Sequence, residues 1–311
     1  MNKCLYCYKD LNNEIDFHKK CSLAFFGVKL APLLPYTLNQ MSDLAKNVVE
    51  RSISIPGVQA KLSMSIISKA IVNDSRLTIV GALGGNYIFK PPSPDFQEMP
   101  QNEHLSMCIA KTLGIKVVPS SLIRLQSGEL SYITKRIDRT NNGDKIHMVD
   151  MFQIIDAFDK YKSSMEKIGK ALDEYSDNTL LDKLYFFELA IFSFLIGNND
   201  MHLKNFSMIQ TDYGWSLSPA YDLLNVSILN PDDKEELALT MVGKKNKLNK
   251  KHFVQFGESI GLSSKQINGV FNRFIKTKNK IFLLIESSFL SKDMKLQFTN
   301  TIYQRFARLY G

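Results

Sequence analysis

The chain has 311 residues, 44% of them hydrophobic and 23% charged, with 16 glycines, 10 prolines and 4 cysteines. That suits two domains, or one large domain with two lobes and a sizeable core, and it excludes collagen-like, low-complexity and disulfide-scaffold chains. Lysine and arginine number 39 against 31 aspartate and glutamate, a formal charge of +8. This mild bias allows nucleotide, nucleic acid, acidic protein or anionic lipid as partner.

From the N-terminus, MNKCLYCYKDLNNEIDFHKKC is polar and charged from its second residue and lacks the apolar core of a secretory signal. A cytoplasmic location with reduced thiols is the expectation, export by a route without an N-terminal signal staying open. Residues 1–30 read as a small module with Cys4-x2-Cys7 followed by His18-x2-Cys21. Each pair can reach one tetrahedral Zn²⁺, which would be structural because four ligands leave no open position. Two alternatives stand beside zinc: thiols packed as small hydrophobes, and a redox C-x-x-C, which the absence of a following βαβ pattern disfavours.

KLSMSII, RLTIV and NYIFK follow as short β-rich runs, broken by turn signals at Asn73-Asp74 and Gly84-Gly85. After the proline-rich 91–101, NEHLSMCIAKTLG carries Leu105, Cys108, Ile109 and Leu113 at helical spacing and stops at Gly114. Cys108 falls on the apolar face and reads as core. Two more strand candidates, KVVPSSLIRL and LSYITKRI, flank a turn at Gln126-Ser127-Gly128. Apolar periodicity then predicts helices near 149–159, 163–174, 178–196, 250–260, 264–285 and 291–309, interrupted by a hairpin within 203–217. The run from Leu184 to Ile196 contains Glu188 and Ser193, is too short to cross a bilayer and reads as a buried helix. Strands and helices segregate rather than alternate, so the class is α+β and bilobal, not a doubly wound sheet. The expected division is the module at 1–30, a small β-rich lobe at 31–137 and a larger helical lobe at 138–311.

The chemistry concentrates in GNNDMHLKNFSMI, directly after the apolar helix. Asp200 and Asn205 are separated by four residues, the spacing of a base and a Mg²⁺-binding amide in a kinase catalytic loop. Asp222 in LSPAYDLLN could give a second hard oxygen ligand. A lone D-x4-N pair more often caps a helix or closes a turn. Order adds weight: Lys90 ends a strand and Glu103 sits on the next helix, as a phosphate-binding lysine and its orienting carboxylate would. KKNKLNKKH (244–252) reads as a solvated charged segment, with recognition of an acidic protein or an RNA-bound enzyme as the alternative. Phe206 and Trp215 read as packing residues.

The segments IPGVQAKLSM, YIFKPP, NEHLSMCIAKTLGI, ITKRIDR, GNNDMHLKNFSMI and LSPAYDLLN resemble, in sequence and order, the HipA-like serine/threonine kinases of bacterial toxin–antitoxin systems. The resemblance implies a bilobal protein-kinase-like fold using ATP and Mg²⁺. By position it makes Lys90 the ATP-phosphate lysine, with Glu103 in the NEH motif beside it. It makes Asp200 the catalytic base, and Asn205 and Asp222 the magnesium ligands. His202 and Lys204 would stabilise the loop or the transferring group, and backbone groups of Lys135 and Ile137 would meet adenine. Val58 and Gln59 fall in the nucleotide-covering loop, which lacks the glycine-rich pattern of eukaryotic kinases.

Ser54 and Ser52 occupy the position at which HipA-like kinases phosphorylate themselves, and their S-I-S pairing resembles the short HipT branch. Phosphate there would repel the nucleotide, whereas the plain alternative is a pair of solvated loop serines. The chain enters the kinase core after about fifty residues, and in HipT-like systems the missing N-terminal part resembles a separate small protein, HipS-like, acting with a DNA-binding antitoxin. The implied substrate is a protein serine, on an aminoacyl-tRNA synthetase. Neither a membrane nor direct nucleic-acid binding is expected. The rival reading is a kinase-fold subunit that docks an antitoxin or other partner without turnover, and a weaker third is phosphorylation of a small molecule.

Overall fold

Alternating apolar residues after Lys61 build the first set of strands. The computed structural model describes residues 2–41, 43–44, 61–68, 75–80, 84–140 and 142–311. In it β1 (Leu62–Ser68), β2 (Ser75–Ile79), β3 (Tyr87–Lys90), β4 (Ser120–Arg124) and β5 (Leu130–Lys135) form an antiparallel sheet of order β2-β1-β3-β5-β4. The registers Leu62↔Phe89 and Phe89↔Ile133 line up fully buried side chains on one face. The chain divides into two units, Met1–His104 with Val118–Lys145 and Ser287–Phe289, and Leu105–Val117 with Ile146–Glu286 and Leu290–Gly311.

The first unit holds this sheet and the N-terminal residues with α1 (Lys19–Phe26). Leu5 accepts at its carbonyl from Leu122 N–H (3.3 Å) and Ser121 Oγ (3.4 Å). Phe25 packs against Phe26 and Tyr87. Arg124 clamps the Asp16 carboxylate. The helix α2 (Met99–Thr112) follows β3.

The second unit is mainly helical: α3 (Met151–Ile154), α4 (Met165–Tyr175), α5 (Thr179–Ile196), α6 (Lys250–Ser259), α7 (Ser264–Ser287) and α8 (Lys292–Tyr310). The expected helix at 149–159 is reduced to the single turn α3. Met148–Asp150 instead pairs as β6 with β7 (Ser207–Thr211), which pairs with β8 (Gly214–Leu217). Asp150 caps the turn by accepting from Gln153 N–H (2.9 Å), and Asp156 at φ 53° ends the helical path.

α5 is buried on almost every side, through Phe186, Phe187, Ile191, Phe192, Phe194 and Leu195. Each such side chain contributes about 1.5–3 kcal/mol, so this helix is the axis of the unit's core. Of its two buried acids, Glu188 pairs with Arg273 at 2.7 Å and Asp182 accepts from Ser176 Oγ and Leu217 N–H. Among the described residues no helix is long and apolar enough to cross a membrane.

The basic stretch before α6 is drawn into the fold: Lys245 bonds Glu235 (3.1 Å), and Asn249 caps α6 by accepting from Lys251 N–H. Nearby, Glu236 ties α8 down. Arg305 lies 2.6 Å from its carboxylate, Arg308 pairs with it, and Leu248 N–H donates to it at 2.9 Å. Burial pushes the Glu236 carboxyl up, but the Arg308 hydrogen bond, the Leu248 N–H and both guanidinium charges outweigh it and hold it below the usual value. A depressed acid stabilises the fold above its unfolded pKa, about 4.3, and loses that contribution as pH falls through the folded value. Glu236→Gln is therefore expected to lower the melting temperature by several degrees near neutral pH, with the gap to the parent closing in acid. Thermal melts across this range check it.

Candidate active site

In the first unit Lys90 is the last residue of β3. Its Nζ lies 2.6 Å from Glu103 Oε1 on α2, with the two side chains 5% and 1% exposed. Tyr132, its partner across the ladder to β5, presents its ring centroid 5.4 Å from the same ammonium. Desolvating two charges is costly, and close pairing offsets that cost. The result is a fixed, buried positive charge at a strand end.

Lys135 ends β5. Its N–H donates to Pro119 O (2.9 Å), its ammonium lies 5.9 Å from the Phe25 ring centroid, and burial pulls its pKa down. Of the backbone groups expected to meet adenine, the Lys135 N–H is thus already engaged by Pro119. Ile137 follows two residues beyond the strand, half-buried. Val58, Gln59, Ser52 and Ser54 lie outside the described residues.

In the second unit α5 ends at Gly197, at φ 74°, where a side chain would collide with Asn225 Oδ1 and Ser227 Oγ. This left-handed turn throws the chain into the Asp200 loop. Asn199 anchors it by donating to Asp233 Oδ2 (2.9 Å) and Glu235 O (3.2 Å). A 3-10 turn follows at Leu203–Asn205. Its Asn205 is 6% exposed, accepts from His202 N–H at Oδ1 (3.1 Å) and donates through Nδ2 to Asp222 Oδ2 (3.1 Å).

Asp222 holds φ 59°, a left-handed conformation that costs a non-glycine residue about 1–3 kcal/mol and clusters at functional sites. The parallel bridge Val117↔Ala220 and the bond from Ala220 N–H to Lys116 O (2.8 Å) fix the approach to Asp222. The Asn205 amide meets the Asp222 carboxylate through Nδ2, while its Oδ1 receives the His202 N–H; side by side, an amide and a carboxylate are hard donors with a single negative charge, the donor types that suit Mg²⁺.

Asp200 is exposed, and its Oδ1 accepts from the Tyr161 hydroxyl at 2.8 Å. Tyr161 also meets the His202 ring edge-on at 5.1 Å. Burial first, then the hydrogen bond to Asp200 and its negative charge, hold the Tyr161 phenol protonated well above its usual range. Tyr161 therefore remains a donor at every physiological pH and fixes the rotamer of the carboxylate. His202 is buried, whereas Lys204 is exposed with its ammonium 4.7 Å from the Phe152 ring centroid.

Tyr221 donates to Lys204 O (3.1 Å), so the Ser207 hydroxyl, 2.6 Å away, must donate to Tyr221. Phe206 packs edge-on against Phe186 of α5 at 5.3 Å. Sequence reasoning missed Tyr161, Tyr132 and the brace at Tyr221. Tyr221 lay within a quoted motif, and no spacing rule connects Tyr161 to a residue 39 positions away.

The other predicted set also converges: the ligand atoms of Cys4, Cys7, His18 and Cys21 lie within 4.8 Å of one another. Burial and the neighbouring sulfurs push the Cys21 thiol up to about 12, and burial pushes Cys7 up. At Cys4 burial is outweighed by backbone N–H donors, and its pKa falls. Cys108 stands apart, half-buried on α2.

A family model described as HipA-like C-terminal domain matches residues 53–281, most of the chain, and the chain belongs to this family of kinases. A Haemophilus influenzae protein named as a candidate kinase is 28% identical over 83% of this chain and 82% of its own length. The Shewanella oneidensis serine/threonine-protein kinase toxin HipA is 25% identical over 61% of this chain, which spans only 46% of that relative. Among solved structures, HipA from the Shewanella oneidensis HipA, HipB and operator DNA complex aligns with a TM-score of 0.65, covering 85% of this chain and 70% of that one at 20% identity. The Helicobacter pylori proinflammatory kinase CtkA aligns at 0.54, covering 72% and 87% at 18% identity. The fold is the α+β kinase fold of these structures.

Truncating one member of a buried ion pair strands the other, at a cost of about 3–5 kcal/mol. Lys90→Met should therefore destabilise the protein by this order, and adding Glu103→Gln should recover part of the loss. Urea unfolding of parent, single and double variants checks it.

Proposed function

We propose that this protein is an ATP- and Mg²⁺-dependent protein serine kinase of toxin type, in the HipT-like branch. The observation that carries the reading is the second unit's polar constellation: a strained Asp222 in contact with Asn205, in the same loop segment as a tyrosine-oriented Asp200. Simple capping does not account for it, because capping needs neither the left-handed Asp222 nor a carboxylate held by Tyr161.

Asp200 aligns the acceptor hydroxyl and takes its proton, with Tyr161 keeping the carboxylate in one rotamer. Lys90, oriented by Glu103, binds phosphate oxygens as a fixed cation. Asn205 and Asp222 hold the Mg²⁺, which when bound neutralises charge on the phosphates. Lys204 adds an exposed positive charge in the same loop as the base. His202 shapes the turn, its backbone N–H fixing the Asn205 amide.

The substrate proposed is a serine on an aminoacyl-tRNA synthetase, so that phosphorylation restrains translation. The partners proposed are a small HipS-like protein and a DNA-binding antitoxin, in keeping with the HipA, HipB and operator assembly of the structural neighbour. Ser54 and Ser52 are proposed as sites of self-phosphorylation that lower nucleotide binding by charge repulsion.

Purified protein incubated with labelled ATP, Mg²⁺ and a panel of aminoacyl-tRNA synthetases, with and without cognate tRNA, should label one of them. Asp200→Asn should reduce the rate by about 10²–10⁴, the usual worth of a general base, and Asp222→Asn should abolish transfer with the melting temperature retained. Nucleotide binding without any transfer would favour the docking-subunit reading instead. Phosphopeptide mapping after incubation with Mg-ATP alone should find phosphate at Ser54 or Ser52, and neither site modified would refute the self-inhibition.

A further inference from the structure

The N-terminal cysteine and histidine residues have no part in the kinase reading, yet their side chains converge on a single point. Cys7 Sγ lies 3.5 Å and Cys21 Sγ 3.7 Å from His18 Nδ1. With bonds of about 2.3 Å to sulfur and 2.0–2.1 Å to nitrogen, a tetrahedral zinc centre has S···N edges of about 3.6 Å and S···S edges of about 3.8 Å. The observed spacings match the first, and the 4.8 Å limit on the whole set leaves room for the second.

His18 is already oriented for the task. Its Nε2 lies 3.0 Å from Asp10 O, a carbonyl that can only accept, so the proton sits on Nε2 and the Nδ1 lone pair faces the three sulfurs. The backbone has the form of a knuckle. Cys4 N–H donates to Lys9 O (2.8 Å), Tyr8 N–H to Cys4 O (2.9 Å), and Tyr8 turns the chain at φ 62°. Cys21 then enters from the first turn of α1, its N–H donating to His18 O (2.9 Å). Thiols serving only as small hydrophobes would spread over apolar neighbours; they would not share an imidazole lone pair.

We propose that Cys4, Cys7, His18 and Cys21 hold one Zn²⁺ in a closed tetrahedral site that fixes the N-terminal segment onto the first unit. The segment so fixed is attached to the rest of the first unit, the Arg124–Asp16 ion pair among its contacts. Leu5 O receives Leu122 N–H of β4, and the Tyr8 hydroxyl meets His104 Nδ1 at 2.9 Å. His104 directly follows Glu103, the partner of Lys90. The metal thus steadies the segment that meets α2 at His104, and four protein ligands leave no position for a substrate.

The test is metal analysis of the full chain, expressed without a metal-affinity tag and purified without chelator. About one zinc per chain is expected. Cys7→Ser should bring this below about a fifth, and Cys108→Ser should leave it unchanged. Should the Cys7 variant fail to fold, Co²⁺ exchanged into the parent protein provides the second measurement. Intense visible ligand-field bands and a near-ultraviolet thiolate-to-metal band are expected of a tetrahedral sulfur-rich site. Chain without zinc, a Co²⁺ spectrum of octahedral type, or a Cys–Cys disulfide found by non-reducing peptide mapping would each overturn the site. None of these readouts depends on phosphoryl transfer.

Discussion

A lysine buried at the end of a strand must find a counter-charge or lose its proton, and the first unit is arranged around that requirement. Lys90 meets Glu103 at 2.6 Å, and Tyr132 lays its ring alongside. The pair has little net value as a source of stability, because desolvation offsets most of the attraction. Its worth lies in geometry, since a buried pair permits few alternative rotamers. The strand register that sets Lys90 opposite Tyr132 and the turn of α2 that carries Glu103 are both constrained by it.

The second unit answers a related problem with hydrogen bonds rather than with a counter-ion. Its acidic and amide groups stay close to one another because one backbone and one side-chain donor hold them: His202 N–H on Asn205 Oδ1, and Asn205 Nδ2 on Asp222. The apolar helix α5 supplies the rigid support, Phe186 reaching Phe206 directly after the loop. Strain at Asp222 is maintained by this surrounding order, as expected where a conformation serves binding rather than stability.

Membership of the HipA-like family rests on a match over residues 53–281, whereas the likeness to solved kinases at about a fifth identity speaks for the fold. The matched range contains the segments with physical roles here: the strand end at Lys90, the start of α2, the loop after Gly197 and the Ala220–Asp222 turn. The N-terminal cysteines lie outside that match, so their convergence has to be argued from local geometry alone.

Most strands and the long helices were legible because their apolar periods are regular and their stops are chemically marked, as at Gly114, Gly128 and Gly197. The stretch at 149–159 was not, because its apolar spacing fits a helix while Met148–Asp150 is claimed by a strand far along the chain. The same limit hid Tyr161 and Tyr132, whose partners are set by tertiary packing. By itself the sequence determined the segregation of strands from helices, the candidate lysine, acids and amide, and two Cys/His pairs able to share a metal. Only the tertiary structure decided that Lys90 is buried against Glu103, that Tyr161 orients Asp200, and that four ligand atoms meet at one point. Periodicity and motif act over a few residues, whereas these contacts join positions from 11 to 42 residues apart, which only the folded chain brings together.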